Sequence, residues 1–418
     1  MIQLFTHIRL LPTRFEAAWR LAAVGPSRSS WLPQAMLLLG VLLAAAPVQA
    51  EEVFTLTKDS GVTRSSLSGL QGRTWPATVG EADICLWKND KLAVYSITID
   101  TMFKASYPWW KKQCEKYKVT LPITVLCVVS LVGNETSWGK WSNWQEYVAS
   151  GFEVASHTMT HGAGFKKAAS GDWVPPAGWP GAEWEYSESR KQIEANIPGY
   201  RVRSMCPAGG GAKAFRDKTT AGKFYLCQRN GARMLNRPGN IDYQSINYTS
   251  GVNLGETLGT GNANMDAENL FKPGQEYFRG WAVMMLHYGE QDGKSEAFQA
   301  TVKIIDFLQG THAADVWPGL FGDVAQYGQE RDTATLKMDE VTPERISGTL
   351  TCLMDPAHYQ YPLTLKVRTD NAWKQVSASQ NSAVIPTTVV THEGNNYTLV
   401  EVVPNRGPFT LQKATAGQ

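Results

Sequence analysis

The chain has 418 residues, with 40 lysines and arginines, 38 aspartates and glutamates and a formal net charge of +2 at pH 7. This balance does not favour nucleic acid as a partner, because nucleic-acid-binding domains carry a marked excess of basic residues. The length exceeds that of one ordinary domain and predicts a large domain followed by a smaller one.

Residues 1–50 have the pattern of a signal peptide. Four arginines precede the apolar run Ala35 to Ala46, and Val48-Gln49-Ala50 follows it. The run is shorter than the roughly 20 residues that a membrane-spanning helix needs. The pattern predicts an exported protein, periplasmic or extracellular, without stable membrane insertion once the signal is cleaved. An uncleaved anchor is the alternative.

From Leu92 onward, buried strands alternate with amphipathic helices. Repeated strand–helix units imply parallel strands with covering helices. They predict a barrel-like α/β domain over residues 86–330, preceded by an extension over residues 51–85 that packs on it. The predicted strands are Leu92–Ile99, Ile123–Val129, Phe152–Ala155 and Trp281–Leu286, and the predicted helices are Tyr107–Tyr117, Trp141–Ser150, Ser187–Ile197 and Glu296–Leu308.

The segment Gly162 to Trp184 departs from this alternation and is rich in glycine, proline and tryptophan. A loop of this length without regular structure is usually functional. Trp173 and Trp179 are therefore candidates for stacking on sugar rings, although packing of the loop onto the barrel explains them equally well.

Residues 334–418 have a different pattern, in which short alternating segments are separated by turn residues. Examples are Ile346–Leu353, Leu363–Val367 and Tyr397–Val403. Period-two alternation of this kind predicts a small all-β, sandwich-like module.

Two of the seven histidines, His157 and His161, lie four residues apart directly after an apolar run. Neutral imidazole is the commonest protein ligand for zinc and related metals. In a helix-borne metallopeptidase site a glutamate follows the first histidine, but Thr158 stands there, and threonine disfavours helix. The pair is therefore placed at a strand end, which is the catalytic face of a parallel barrel. Ordinary polar capping of the strand is the alternative.

Four segments in order resemble the motifs of the NodB-homology polysaccharide deacetylases, a carbohydrate esterase family. They are Thr98-Ile99-Asp100, Ser156-His157-Thr158-Met159-Thr160-His161, Pro207-Ala208-Gly209 and Leu286-His287. The resemblance covers about residues 86–330. It implies a distorted (β/α) barrel and the metal-dependent hydrolysis of N- or O-acetyl groups on a polysaccharide or oligosaccharide.

The resemblance also implies roles for individual residues. Asp100 would be the catalytic base, His157 and His161 metal ligands, and His287 the general acid. Pro207 and Gly209 would line the substrate site, close to a backbone N–H that holds the oxyanion. Two structural alternatives stand beside these roles: Asp100 as a turn former and His287 as a buried structural residue.

The implied cofactor is one divalent metal, zinc in the first place, with cobalt or nickel as alternatives. Such a metal lowers the pKa of bound water towards about 7 and polarises the acyl carbonyl. Catalytic zinc normally has three protein ligands. Thr101, however, stands where the family has an aspartate ligand.

Three interpretations of this substitution remain. Asp100 itself binds or shares the metal, with Glu290 or Asp292 as base. Alternatively, Asp100 stays the base and water completes a weak metal site. In the third interpretation, the chain is a catalytically inactive descendant that keeps the barrel and binds carbohydrate. Hydrolysis of a different C–N bond on the same barrel is a further alternative function.

Overall fold

The computed structural model describes residues 67, 69–250, 265–287 and 296–414. The signal peptide predicted at 1–50 lies outside these residues, as do residues 51–66 and 68 of the extension predicted at 51–85. The alternative bases Glu290 and Asp292 lie outside them as well.

Strands and helices alternate through the described residues between Ala82 and Asp332. The strands predicted at 92–99, 123–129, 152–155 and 281–286 and the helices predicted at 107–117 and 141–150 are observed within two residues of these bounds, so these predictions are confirmed. The elements are β1 (Ala82–Ile84), β2 (Ala93–Asp100), α1 (Tyr107–Tyr117), β3 (Ile123–Cys127), α2 (Trp141–Ala149), β4 (Glu153–Ser156), β5 (Lys166–Lys167), β6 (Trp173–Val174), α3 (Ala182–Asn196), β7 (Ser204–Met205), α4 (Lys218–Gly222), β8 (Cys227–Gln228), β9 (Thr249–Ser250), β10 (Trp281–His287), α5 (Glu296–Asp306), β11 (Val316–Pro318) and α6 (Phe321–Asp332).

A curled parallel sheet forms the centre of this region. Its strands follow the order β8-β7-β4-β3-β2-β10-β9, and β11 pairs with β2. Every residue of β2 and β3 is buried, as expected for parallel strands that are covered on both faces. A parallel bridge between Arg233 and Tyr248 joins the segment after β8 to the segment before β9. The predicted parallel α/β layer is therefore present, in a half-barrel form.

Two predicted elements were wrong in part. The segment from Gly162 contains the short hairpin β5–β6, and α3 begins at Ala182 rather than at Ser187. Two glutamates in the first turn of α3 favour that earlier start, because negative charge stabilises a helix N-terminus.

The last part of the chain is all β. Its strands are β12 (Thr335–Val341), β13 (Arg345–Thr351), β14 (Leu363–Arg368), β15 (Val376–Gln380), β16 (Ala383–Ile385), β17 (Thr387–His392), β18 (Asn395–Val402) and β19 (Pro408–Lys413). They form two antiparallel sheets, in the orders β1-β14-β18-β17 and β12-β13-β19-β15-β16, and β1 pairs with β14 although it precedes the parallel sheet. Leu365 and Val400 of one sheet share a core with Ile346 and Phe409 of the other, which is the arrangement of a sandwich.

Among the described helices, none combines the length and the apolar character that crossing a bilayer requires.

Glu330 of α6 is buried where this helix contacts the segment before β14. Its Oε2 accepts the backbone N–H of Tyr361 at 3.0 Å, while its Oε1 has no partner among the described residues. Burial raises the pKa of Glu330 from 4.5 to about 8. Between these values the folded chain holds a proton that the unfolded chain has released, so stability falls as the pH rises through this range.

We therefore expect Glu330→Gln to increase the free energy of unfolding at about pH 9 by ~1–3 kcal/mol and to change it little at about pH 5, because glutamine removes the buried charge. Urea unfolding at the two pH values measures the difference. Glu340→Gln, at an exposed position of β12, is the matched control. An equal effect of Glu330→Gln at both pH values would contradict the prediction.

Candidate active site

Polar side chains from five strands meet at the carboxyl edge of the parallel sheet. Asp100 ends β2 and His287 ends β10, and the two residues are register partners. His157 directly follows β4, Cys206 follows β7 and Arg229 follows β8. Because neighbouring parallel strands end at the same edge, residues distant in sequence come together there.

Asp100 and Arg229 form a buried ion pair at the centre of this cluster. The Nη2 atom of Arg229 lies 2.6 and 2.7 Å from the two carboxylate oxygens, and both side chains are at most 7% exposed. The other guanidinium nitrogen, Nη1, donates to the Thr98 hydroxyl. Burial alone would raise the pKa of Asp100. The positive charge of Arg229, with smaller contributions from His157 and His287, outweighs burial, so the pKa of Asp100 is lowered. Asp100 is therefore ionised at neutral pH.

His157 is buried, and its orientation is fixed by one hydrogen bond. Its Nδ1 donates to the carbonyl of Cys206 at 2.8 Å, because a carbonyl can only accept. The lone pair of the neutral ring is then on Nε2, which lies 4.0 Å from Oδ2 of Asp100. Burial lowers the pKa of His157 to about 4, against the opposing effect of Asp100. His157 is therefore neutral near pH 7.

His161 lies on a tight loop whose backbone conformation is unusual. Thr158, His161 and Gly162 all have positive φ, of 71°, 58° and 71°. A side chain on Gly162 would place its Cβ 2.2 Å from the backbone nitrogen of Ala212, so only glycine fits there. The ring centroids of His157 and His161 are 5.0 Å apart, and burial lowers the pKa of His161. The loop therefore presents two imidazoles that favour the neutral form.

Glu185 of α3 fixes the conformation of this loop through hydrogen bonds. Its carboxylate accepts the Thr160 backbone N–H at 2.9 Å and the Thr160 hydroxyl at 2.5 Å, and its own carbonyl accepts the N–H of Met159 at 3.1 Å. The side chain of Glu185 is fully buried. It therefore positions the histidine loop without reaching the Asp100 cluster itself.

His287 lies on the solvent-exposed side of the cluster. Its side chain is 48% exposed, and its Nε2 lies 3.8 Å from Oδ2 of Asp100. It is thus not the buried structural histidine considered as an alternative. An ionised carboxylate beside an exposed imidazole at the mouth of a site is an arrangement that suits proton transfer to and from a bound substrate.

Pro207 and Gly209 follow Cys206 at the same edge of the sheet. Arg216 donates to the carbonyls of Ala208, at 2.7 Å, and Pro207, at 3.4 Å, and so fixes this segment. Burial raises the pKa of the Cys206 thiol to about 12 despite the opposing effect of Arg229. Cys206 is therefore a neutral thiol rather than a nucleophilic thiolate.

Trp173 and Trp179 are both partly buried against the core of the parallel-sheet region. Trp173 lies on β6. Trp179 contacts the rings of Phe165 and Phe215 at centroid distances of 5.1 and 5.4 Å and donates to Glu185 at 3.2 Å. These contacts pack the loop against the core of the parallel-sheet region. Stacking of either tryptophan on a sugar ring stays a prediction.

A metal fits the described residues only in part. His157 and His161 favour the neutral form that metal ligands require. However, the described ranges contain no group of three histidine, cysteine, aspartate or glutamate side chains that could hold an ion. Both oxygens of Asp100 are engaged by Arg229, and Thr101, at a φ of 52°, offers no carboxylate. These residues therefore offer two imidazoles, and the carboxylate close to His157, that of Asp100, is already paired with a guanidinium.

Arg229 and Glu185 were not among the residues predicted for the site. Arg229 follows a strand of only two residues, too short to show alternation, and the chain separates it from Asp100 by 129 residues. Glu185 could have been found from the acidic first turn of α3, which was placed in a loop instead.

Comparison with known proteins gives distant similarities. No family model matches the chain. A gellan lyase from a Bacillus species is 28% identical over 354 residues, which are 81% of this chain but 13% of that protein, so the chain spans about an eighth of the relative's length. A polysaccharide deacetylase from Bacillus cereus is 19% identical, with a TM-score of 0.28 over 37% of this chain and 46% of that chain. A point mutant of the peptidoglycan deacetylase PdaC from Bacillus subtilis is 12% identical, with a TM-score of 0.32 over 56% of this chain and 90% of that chain.

Proposed function

We propose that this chain is a hydrolase that removes acetyl groups from a glycan. The observation that carries the proposal is the convergence of an ionised carboxylate, Asp100, with a buried and an exposed imidazole at the carboxyl edge of a parallel sheet. A distorted barrel of the deacetylase type, related to the NodB-homology enzymes, is part of the same proposal.

Asp100 is the general base of the proposed reaction. Its carboxylate is kept ionised by Arg229, and water that approaches from the side of His287 can give its proton to Oδ2. Removing this proton makes water a competent nucleophile towards the acyl carbon, a contribution on the order of 10²–10⁴ in rate.

His287 is the general acid. Its half-exposed ring lies at the mouth of the site, where a leaving sugar amine or hydroxyl would depart, and its Nε2 is close to the proton acceptor Asp100. Protonation of the leaving group prevents collapse of the tetrahedral intermediate back to substrate. The backbone N–H groups of Ala208 and Gly209, which follow Pro207, are the proposed oxyanion donors.

The similarity to a protein named gellan lyase supports a polysaccharide as the substrate class. It also names a competing chemistry, since a lyase breaks the chain by elimination and leaves an unsaturated uronic acid. The two reactions have different products, so one assay distinguishes them.

Metal dependence is included in the proposal because His157 and His161 favour the neutral form expected of metal ligands. Zinc is the first candidate, with cobalt and nickel as alternatives. We expect acetate release to fall after treatment with a chelator and to recover when one of these ions is added. Equal release with and without chelator would contradict metal dependence and leave the roles of Asp100 and His287 intact.

The function is tested by incubating the purified full chain with N-acetylated chito-oligosaccharides, O-acetylated xylan and acetylated gellan. The expected product is free acetate, measured by an enzymatic assay. Ultraviolet absorbance from unsaturated uronic acid would instead show a lyase, and amine or ammonia without acetate would show another C–N hydrolase. Glycan binding without any product would show an inactive carbohydrate-binding protein.

Export to the periplasm or the extracellular space is the proposed location, because residues 1–50 have the pattern of a signal peptide. Cell fractionation with an antibody against the chain checks it, and a shortened protein in the exported fraction is the expected result.

A further inference from the structure

Arg216 is an exposed cation beside the candidate active site. It directly follows the turn Gly210–Phe215, and its Nη2 atom donates to the carbonyl of Ala208 at 2.7 Å. Burial lowers the pKa of His161, and the positive charge of Arg216 contributes in the same direction. The guanidinium of Arg216 is therefore close to the histidine loop and to the segment that carries the proposed oxyanion donors.

The backbone on both sides of this arginine is fixed by one hydroxyl group. The hydroxyl of Tyr186 in α3 donates to the carbonyl of Phe215 at 2.7 Å and accepts the N–H of Asp217 at 3.3 Å. The turn before the arginine also lies against the histidine loop, since a Cβ on Gly211 would be 2.6 Å from a carbonyl oxygen of that loop. The chain therefore holds the cation beside the site before a ligand binds, which reduces the entropy lost on binding.

The charge of Arg216 is not matched by a carboxylate of the described residues. Both of its hydrogen bonds go to backbone carbonyls. The carboxylate of Asp217, the next residue, is engaged elsewhere, because it caps α4 by accepting the N–H groups of Thr219 at 2.9 Å and Thr220 at 3.2 Å. The positive charge of Arg216 is therefore open to an anionic group that approaches from solvent.

We propose that Arg216 binds the carboxylate of a uronic acid residue, so that the glycan bound at this site is acidic. This inference rests on the proposed function and narrows its substrate class. A planar guanidinium matches a carboxylate with paired N–H donors, and such charge-assisted hydrogen bonds are stronger than neutral ones. The carboxylate belongs to a sugar next to the acetylated one, because Arg216 contacts the segment of the proposed oxyanion donors and not Asp100 itself.

The test measures by calorimetry how tightly the full chain binds oligosaccharides of galacturonic acid and of glucuronic acid. Each oligosaccharide is compared with its methyl ester, which keeps the sugar rings and removes the negative charge. We expect at least one acid to bind about five- to tenfold more tightly than its ester at low salt. Added salt should reduce this difference, because it screens exposed charges.

Variants separate a specific ion pair from general attraction. Arg216→Gln should bind acid and ester equally, while Arg216→Lys, which keeps the charge, should retain part of the preference for the acid. Lys213→Gln removes an exposed cation of the same turn that has no hydrogen bond to the carbonyls of Pro207 and Ala208, and Arg345→Gln removes an exposed arginine of β13. Both controls should keep the wild-type preference.

Equal binding of acid and ester by the wild type in both series would overturn the proposal, and this comparison needs no variant to fold. Equal weakening of acid and ester by Arg216→Gln would also overturn it, because that result is expected if Arg216 only fixes the oxyanion segment. The same holds if Lys213→Gln loses the preference as fully as Arg216→Gln does. Binding is measured without turnover, so a preference that depends on Arg216 in a chain that releases no acetate would contradict the proposed function and keep the uronate site.

Discussion

Asp100→Asn is expected to reduce acetate release by about 10²–10⁴-fold, because the amide cannot accept the proton of the attacking water. The substitution keeps the shape of the side chain and an oxygen that can accept from Arg229. The initial rate of acetate release at saturating glycan, compared with that of the wild type, measures the effect.

The control for this variant separates chemistry from folding. Asp306→Asn changes an exposed carboxylate that pairs with Lys116, and it should leave the rate of acetate release unchanged. Circular dichroism and Tm should show that Asp100→Asn is folded. Wild-type acetate release by a folded Asp100→Asn protein would remove Asp100 from the reaction and, with it, the proposed mechanism.

The parallel layer of the fold could be predicted because its central strands are apolar along most of their length. The strand β2 from Ala93 to Asp100 is buried at every position, and five of its eight residues are apolar. Gly151 marks the boundary between α2 and β4. The short strands β7, β8 and β9 were not predictable in this way. A strand of two residues is too short to show an alternating pattern, and only its pairing with neighbouring strands defines it.

The candidate site was predicted where local sequence carries the chemistry and missed where tertiary contacts carry it. Asp100, His157 and His287 follow apolar runs and reach one edge of the sheet, as their positions at strand ends predict. Arg229 has no such signal, and its role follows only from its contacts with both oxygens of Asp100. The same contacts also disfavour metal binding by Asp100, because they place the positive charge of Arg229 beside its carboxylate.

Arg229→Gln is expected to lower the free energy of unfolding at pH 7 by about 3–5 kcal/mol, because it leaves the carboxylate of Asp100 buried without a cation. The wild-type pair contributes its stability above the ordinary pKa of aspartate and loses it as the pH falls through the lowered pKa of the folded chain. In the variant, burial is no longer outweighed and the pKa of Asp100 rises. The difference in the free energy of unfolding between the wild type and Arg229→Gln should therefore become smaller at acidic pH, where Asp100 is protonated in both proteins.

Urea unfolding of the wild type, of both single variants and of the double variant Asp100→Asn/Arg229→Gln measures this coupling. The double variant should be more stable than the sum of the single losses predicts, because it leaves no unpaired charge in the cluster. Strictly additive losses would mean that the two side chains do not interact through the 2.6 and 2.7 Å contacts. In that case another group would have to keep Asp100 ionised, and Arg229 would have no place in the proposed proton transfer.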